Sequence, residues 1–334
     1  MTAVPEIREF GAPFDDHDAD VVLRSSDAVD FHVYKAILKK GSRGFADMFA
    51  AQPIPPTDPS SPEFKDGLPI IPLSETSHTL NLFLQFLYPV PNPQIIDPND
   101  MALVLDAFRK YVVEGYAKTI ELMLLEILDG DKYLVKTGKV YALACCYGLP
   151  RVAKVAAMNS LQYSCSALSF TDDDISLLTT RQYHALIQFQ SRCKRVARNE
   201  AQRRDWDEDY DVLPGIDPRP LEDVPLRECK CEWVDEEDTT PTWFAVYLNG
   251  FANYLAQNPH PSEVLAYRPS VPKDMWESAL NCPACRLFIQ DGLAQFKRRL
   301  QRRIQKRYNE SGTRKNKVNG DLTSLEKTLP AQPF

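Results

Sequence analysis

The segment that constrains the fold most is ADVVLRSSDAVDFHVYKAIL, residues 19–38, because a strand pattern and a helical pattern meet within it. Two short β-favouring runs, residues 20–24 and 29–33, flank the turn-forming tetrapeptide SSDA, and this arrangement predicts a β-hairpin. Apolar residues then recur with helical spacing, which predicts two short helices after the hairpin, with KKGSRG as the break between them. The chain is therefore predicted to begin as a mixed unit of strands and helices.

A proline-rich stretch and a third strand are predicted next. AAQPIPPTDPSSPEFKDG should form an exposed, irregular loop, because proline fixes φ and lacks a backbone donor. The following LPIIPL is predicted to be a strand that Pro69 and Pro72 place at a sheet edge or cut short. Ser77 is the predicted N-cap of the next helix, which should end at Pro89.

Helical patterns continue to about residue 200. Two helices are predicted within residues 99–128, and another pair around YGLP, with Gly148 just past one helix and Pro150 in the first turn of the other. Thr171 and Asp174 stand in the spacing of a capping box. They are predicted to open one further helix that closes the first folded unit.

The C-terminal part is predicted to comprise an acidic linker at 201–228, a small helical unit at 229–308 and a disordered tail at 309–334. Aromatic residues three or four apart from Trp243 to Tyr254 predict an apolar helix face within the helical unit. Trp276, just before CPAC, is expected to seat the cysteines of that motif.

The composition sets limits on function. The net charge of −7 over 334 residues argues against a general nucleic-acid binder. No apolar run approaches the roughly 20 residues that cross a bilayer, and the N-terminus lacks the basic and apolar regions of a secretory signal. We therefore expect no membrane association and a cytoplasmic or nuclear protein that is not secreted.

The cysteines are the best candidates for chemistry, because eight of them in a chain without a predicted signal are more often thiols or metal ligands than disulfides. Four stand in two close pairs, in CKC and CPAC, and thiolates at such spacing can bind one tetrahedral zinc ion, with His260 as a spare ligand. Unligated thiols and a redox pair are the alternatives. The candidate ligands of a structural zinc are Cys229, Cys231, Cys282 and Cys285.

Four blocks carry a resemblance to a known family: residues 19–38, FADMF, LPIIPLSE and LNLFLQFLYP. In this order and spacing they resemble the BTB/POZ domain, and VYALACCYGL looks like the helix that follows this domain in fungal, basidiomycete-like members. The resemblance covers about residues 14–165. It implies an α+β BTB/POZ fold at 14–130, with a short hairpin and an edge strand surrounded by helices, then a helical extension at 131–200 and a mainly helical C-terminal region.

The resemblance also implies a function. Domains of this family mediate protein–protein association, commonly as homodimers, so a non-enzymatic interaction module with protein partners is expected. The family's aspartate, histidine and following cation correspond to Asp20, His32 and Lys35. Asp20 and Lys35 are expected to form a partly buried charge pair at the dimer groove, and His32 to hold the start of the first helix. The sequence carries no G-x-S-x-G, phosphate-loop or H-E-x-x-H motif, which argues against catalysis.

Two other functions stay open. Family members that recruit cullin-type ubiquitin ligases usually carry an apolar-x-Glu motif before the third strand, and the nearest match here, Phe64–Asp66, ends in aspartate. A nuclear, transcription-associated regulator is suggested by the basic helical segment FIQDGLAQFKRRLQRRIQKRY, which has the pattern of a nucleic-acid contact, a nuclear localisation signal or a partner-binding helix. The favoured interpretation of that segment is a surface helix whose cations are solvated or face the acidic linker.

Overall fold

A computed structural model of the chain describes residues 6–51, 64–130, 136–162, 170–203, 231 and 241–309. The described residues form two compact units. The first contains residues up to 130 together with 146–152, and the second contains residues 136–145 and those from 153 onward. Nearly all of the predicted acidic linker and almost the whole predicted tail lie outside the described residues.

The first unit contains a five-stranded sheet whose strands run in the order β1-β3-β2-β5-β4. The predicted hairpin is confirmed, since β2 and β3 pair antiparallel with Arg24 opposite Asp30. β5 pairs parallel with β2 and antiparallel with β4, while β1 pairs parallel with β3. The strands are β1 Arg8–Glu9, β2 Val21–Arg24, β3 Val29–Val33, β4 Phe64–Lys65 and β5 Leu68–Pro72.

Of the two alternatives predicted for LPIIPL, a sheet edge or a strand cut short, the sheet edge is wrong, while the strand does end at Pro72. β5 lies between β2 and β4, because the ladder does not need the N–H groups that Pro69 and Pro72 lack. The carbonyl of Arg24, which lies opposite Pro72, accepts its hydrogen bond from the backbone N–H of Leu73. Pro69 faces only the two-residue strand β4.

Among the described residues of the first unit, five helices surround an aromatic core. α1 and α2 are separated at Ser42, whose hydroxyl accepts from the backbone N–H of Phe45. The N-cap of α3 is Thr76 rather than the predicted Ser77, because Asp27 binds the Ser77 backbone N–H and hydroxyl. The helices are α1 Lys35–Gly41, α2 Arg43–Ala51, α3 Ser77–Leu87, α4 Pro98–Lys110 and α5 Ala117–Gly130; the core includes Phe14, Phe31, Phe45, Phe83, Phe108 and Tyr111.

The helices after residue 136 follow the predicted pattern with one correction. Gly148, with φ of 67°, and Pro150 separate α6 Thr137–Cys146 from α7 Pro150–Asn159, as predicted. The capping box of Thr171 and Asp174 opens only the short α8 Asp172–Ser176. A second capping box, Thr179 with Gln182, opens the long α9 Thr180–Gln202, so one predicted helix is two.

The second unit is helical, as predicted. α9 packs against α10 and α14, so it belongs to this unit, whereas the sequence interpretation placed it at the close of the first unit. Trp243, Tyr247 and Phe251 are buried on α10, as their spacing predicts. The remaining elements are α10 Thr242–Gln257, α11 Glu263–Ala266, α12 Lys273–Asn281, α13 Pro283–Leu287, a π-helical turn Phe288–Gly292 and α14 Leu293–Asn309.

Candidate functional site

Asp20 and Lys35 meet at the start of α1, but through the backbone. The exposed Asp20 carboxylate accepts a hydrogen bond of 2.6 Å from the backbone N–H of Lys35 and so satisfies one of the free donors of the helix N-terminus. The Lys35 ammonium lies 5.9 Å from the ring centroid of Phe49 on α2. Asp20 therefore has a capping role within one chain, and the dimer-groove charge pair stays a prediction.

His32 lies in β3, three residues before α1. Its backbone N–H donates to the carbonyl of Phe14 at 2.8 Å, and its Nε2 lies 3.1 Å from a carboxylate oxygen of Glu9 in β1. The side chain is half-buried. His32 thus joins β3 to β1 and to the segment before β2, which is a structural role in the sheet.

A buried charge network centred on Asp30 was missed by the sequence interpretation. Asp30 is fully buried, and Arg24 binds both of its carboxylate oxygens, at 2.7 and 2.9 Å. Lys65 in β4 donates to Asp30 at 2.8 Å and also binds Glu9 in β1. Since β1 and β4 are opposite ends of the strand order, the sheet is curled enough for Lys65 in β4 to reach Glu9 in β1.

The network keeps Asp30 and Lys65 charged. Burial alone would raise the pKa of Asp30, but hydrogen bonds from Arg24 and Lys65 outweigh it and hold that pKa below its usual value. Burial likewise works to lower the pKa of Lys65, and its bonds to Asp30 and Glu9 reverse this and raise it. A carboxylate and two cations that stabilise one another in this way form part of the fold rather than an acid or base poised for catalysis.

Surface charge beside the hairpin is divided into two adjacent patches. An acidic patch precedes β2 and consists of Asp15, Asp16, Asp18 and Asp20, which are all exposed. A basic patch lies on α1, where Lys39 and Lys40 are exposed beside the half-buried Lys35. Tyr34, between the patches, donates its hydroxyl to Asp18, and this bond raises the pKa of the tyrosine.

The segment Phe64–Asp66, the nearest match to a cullin-binding motif, forms an arm of a β-hairpin. Phe64 and Lys65 make up β4, and Asp66 and Gly67 turn the chain with φ of 51° and 79°. Two successive positive φ values are typical of the tight turn that joins paired strands. Lys65 is engaged with Asp30, so this segment contributes to the charge network of the sheet.

In the second unit, three of the four predicted zinc ligands lie together. The ligand atoms of Cys231, Cys282 and Cys285 are all within 4.8 Å of one another, and the sulfurs of Cys231 and Cys285 are 3.7 Å apart. Cys282 and Cys285 are buried and Cys231 is half-buried. Cys229 lies outside the described residues.

An aromatic wall supports the three cysteines. Trp243 donates its indole N–H to the sulfur of Cys285 at 3.2 Å. Trp276, the expected seat of the cysteines, packs edge-on against Trp243 with ring centroids 5.7 Å apart. His260, the predicted spare ligand, is not in the cluster and lies 2.7 Å from the hydroxyl of Ser262.

The basic segment near the C-terminus forms α14, and its apolar side is buried through Leu293, Phe296, Leu300, Ile304 and Tyr308. Two of its arginines pair with a carboxylate within the same unit. Arg303 Nε lies 2.6 Å and Arg307 Nε 3.3 Å from the carboxylate of Glu200 on α9, which is buried. Within the described residues, no helix combines the length and apolar character needed to cross a bilayer.

Comparison with known proteins gives a family match within the first unit. Residues 11–128 match the family model of the BTB/POZ domain. No significant match was found among curated proteins or solved structures. The matched range contains strands β2 to β5, helices α1 to α4 and all but the last two residues of α5, while β1 lies just before it.

Proposed function

We propose, on the premise that residues 11–128 form a BTB/POZ domain, that this protein works as a homodimer that binds other proteins and not as an enzyme. The BTB/POZ domain is a protein–protein interaction module, which supports protein partners. The charged groups at the hairpin serve the fold, since Asp20 caps α1 and Asp30 is held by two cations. The homodimer is proposed in addition, from the charged surface beside α1.

The pair of oppositely charged patches beside α1 is the observation that supports the homodimer. A two-fold dimer uses the same surface on both subunits, so that surface must be complementary to itself. The acidic patch and the basic patch are adjacent, because Asp20 binds the first residue of α1 and Asp18 binds Tyr34 just before it. A two-fold axis between them brings each acidic patch onto the basic patch of the other copy.

Charge reversal tests this arrangement in the full chain. Lys39→Glu with Lys40→Glu places acid against acid in the homodimer, and Asp15→Lys with Asp16→Lys places base against base. We expect each double variant to raise the dimer dissociation constant about tenfold or more, since several exposed charge pairs of about 0.5 kcal/mol are lost at once. Sedimentation equilibrium over a concentration series measures the constant.

The control is an equal mixture of the two double variants, which restores opposite charges across the axis and should recover most of the lost association. Lys118→Glu, at an exposed position of α5 that belongs to neither patch, should leave the constant unchanged. A wild-type chain that stays monomeric at high concentration contradicts the homodimer. Equal association of the mixture and of each variant alone contradicts the role of the patches.

The substrate-adaptor function for a cullin-type ubiquitin ligase is a weaker alternative. The nearest match to the recruiting motif, Phe64–Asp66, is an arm and turn of a hairpin, and Lys65 within it binds Asp30. We expect no capture of a cullin scaffold by the purified full chain at micromolar concentration. Saturable capture of such a scaffold would favour the adaptor function.

The transcription-associated function is weaker still. It depends on the basic helix α14, and two of the arginines of that helix lie against Glu200 of α9. DNA affinity measured against salt concentration tests it, because phosphate contacts give an affinity that falls steeply as salt rises. We expect no salt-dependent DNA binding by the full chain.

A further inference from the structure

The cysteine cluster of the second unit has the geometry of a metal site. Zinc binds thiolate at about 2.3 Å, and two ligands at the tetrahedral angle are then separated by about 3.8 Å. The sulfurs of Cys231 and Cys285 are 3.7 Å apart. This distance is far longer than the S–S bond of about 2 Å in a disulfide. The third sulfur, of Cys282, lies within 4.8 Å of both.

The chain brings these three sulfurs together from two distant segments. Cys282 is the residue between α12 and α13, and Cys285 lies in α13. The bend between these two helices therefore holds both sulfurs close together. Cys231 is more than fifty residues earlier in the chain. Bringing thiols together across such a separation closes a long loop and costs conformational entropy. A bond between the two ends, such as shared coordination of one ion, offsets that cost.

The surroundings of the cluster fit a closed site. Cys282 and Cys285 are buried, which excludes bulk water from two of the ligands. The indole N–H of Trp243 points at the sulfur of Cys285 from 3.2 Å, and a donor in this position stabilises a thiolate and orients it toward a metal. Trp276 and Phe288 pack against the Trp243 ring and hold it there.

We infer that Cys231, Cys282 and Cys285 are ligands of one structural Zn²⁺ ion, with Trp243 as a positioning residue behind Cys285. Thiolate ligands select a soft, tetrahedral metal over calcium or magnesium. That Cys229, two residues before Cys231, supplies a fourth thiolate stays a prediction from the spacing of the cysteines. The ion ties Cys231 to the turn between α12 and α13 and adds no catalytic step.

Metal analysis and cobalt substitution of the full chain test the site. Protein purified under reducing conditions should contain about one zinc per chain. After chelation, added Co²⁺ should give thiolate-to-cobalt charge-transfer absorption and the visible bands of a tetrahedral site, and added Zn²⁺ should displace it. Absence of zinc together with absence of the cobalt spectrum overturns the inference, as does stoichiometric iron or copper in place of zinc.

Single substitutions assign the ligands. Cys231→Ser, Cys282→Ser and Cys285→Ser should each abolish or greatly weaken the charge-transfer absorption, while Cys146→Ser, in the first unit, should leave it unchanged. Unchanged spectra in the three cluster variants overturn the ligand assignment. Loss of charge-transfer intensity in Cys229→Ser supports a fourth thiolate. An unchanged spectrum in this variant overturns the prediction that Cys229 is the fourth ligand.

Alkylation of the wild type covers the case in which the variants do not fold. Cys231, Cys282 and Cys285 should resist iodoacetamide until a chelator is added, as mass spectrometry of peptides will show. Cys145 and Cys193 are buried by packing, so their protection should not depend on the chelator. Protection of the cluster that is unaffected by the chelator overturns the inference.

Trp243→Phe tests the positioning residue, because it keeps a ring and removes the N–H donor. We expect the stoichiometry to stay at one ion and the zinc affinity to fall about tenfold to a hundredfold, measured by competition with a chelating dye. Trp276→Phe is the matched control and should change the affinity much less. Equal effects of the two variants overturn the role of the Trp243 N–H.

Discussion

Asp30 in the first unit and Glu200 in the second are both buried carboxylates held by cations, with exposed fractions of 0 % and 7 %. The cation nearest to each carboxylate comes from a different distance along the chain. Arg24, six residues from Asp30, binds it with two hydrogen bonds across the β2–β3 hairpin. Glu200 on α9 lies against Arg303 and Arg307, which are about a hundred residues later on α14.

The comparison shows two ways to use a buried charge. The bond between Arg24 and Asp30 is set by the register of a local hairpin, so it forms as soon as the hairpin does. The contact between Glu200 and α14 ties together two helices that are remote in sequence, so it reports on tertiary packing. The contact with Glu200 also gives part of the basic helix a structural role, because the guanidinium groups that lie against this buried carboxylate are less available to other partners.

The largest effect is expected from Arg24→Met. This change keeps most of the side-chain volume but leaves the fully buried Asp30 with Lys65 as its remaining cation. We expect the free energy of unfolding to fall by about 3 kcal/mol, because a buried carboxylate loses its bidentate partner. Urea unfolding followed by far-ultraviolet circular dichroism measures this.

Arg109→Met is the control for that change. Arg109 pairs with Asp106 one helical turn away and is largely exposed, so its loss should cost less than about 0.5 kcal/mol. Hydrogen exchange of β2 and β3 amides should rise in Arg24→Met alone. A loss below about 1 kcal/mol for Arg24→Met would show that the network around Asp30 contributes little to stability.

A smaller loss is expected from Glu200→Gln, which leaves Arg303 facing a neutral amide. The Arg303 side chain is only 13 % exposed, but Arg307 is more open to water and can be hydrated. We expect the free energy of unfolding to fall by about 2 kcal/mol. Trp243 and Trp276 lie on α10 and α12 of this unit, so tryptophan fluorescence in urea follows its unfolding.

Glu277→Gln serves as the control in the second unit, because Glu277 forms an exposed pair with Lys273 one turn away and should be nearly neutral on substitution. If Glu200→Gln costs more than Arg24→Met, the distinction drawn between the local and the remote carboxylate is wrong. If it costs no more than the control, the contact with α14 is not stabilising.

Local patterns predicted much of the fold. The hairpin, the break between α1 and α2, and the glycine and proline between α6 and α7 all depend on residues close in sequence, and the structure has them where the patterns indicate. The contact between Arg24 and Asp30 could have been found from the predicted hairpin, since its register places these two residues opposite each other.

Features that depend on distant partners could not be predicted. β1 and β4 are two residues long, too short for any periodicity, and exist because longer strands offer them a ladder. Thr76 caps α3 because Asp27, fifty residues away, binds Ser77. The spacing of the cysteines indicated a cluster, but nothing in it indicated Trp243 as the donor to Cys285.

The smallest effect is expected at Asp27, a less buried carboxylate that is held by hydrogen bonds rather than by cations. Its two oxygens accept from the backbone N–H and the hydroxyl of Ser77, both at 2.7 Å, at the start of α3. Partial burial works to raise its pKa, but the bonds from Ser77 and Ser25 outweigh this and lower the pKa from 3.8 to about 2.

Asp27→Asn should therefore reduce stability near neutral pH by less than about 1 kcal/mol, because the amide oxygen still accepts one bond. Since the folded pKa is below the unfolded value of 3.8, the advantage of the wild type is complete above that value and is lost as the pH falls toward 2. Urea midpoints of the two proteins should differ at about pH 5 and converge at about pH 2. Midpoints that stay equally far apart at both pH values would show that ionised Asp27 gives α3 no pH-dependent stability, in contrast to the pH dependence expected of the cation-bound Asp30, whose pKa is also lowered.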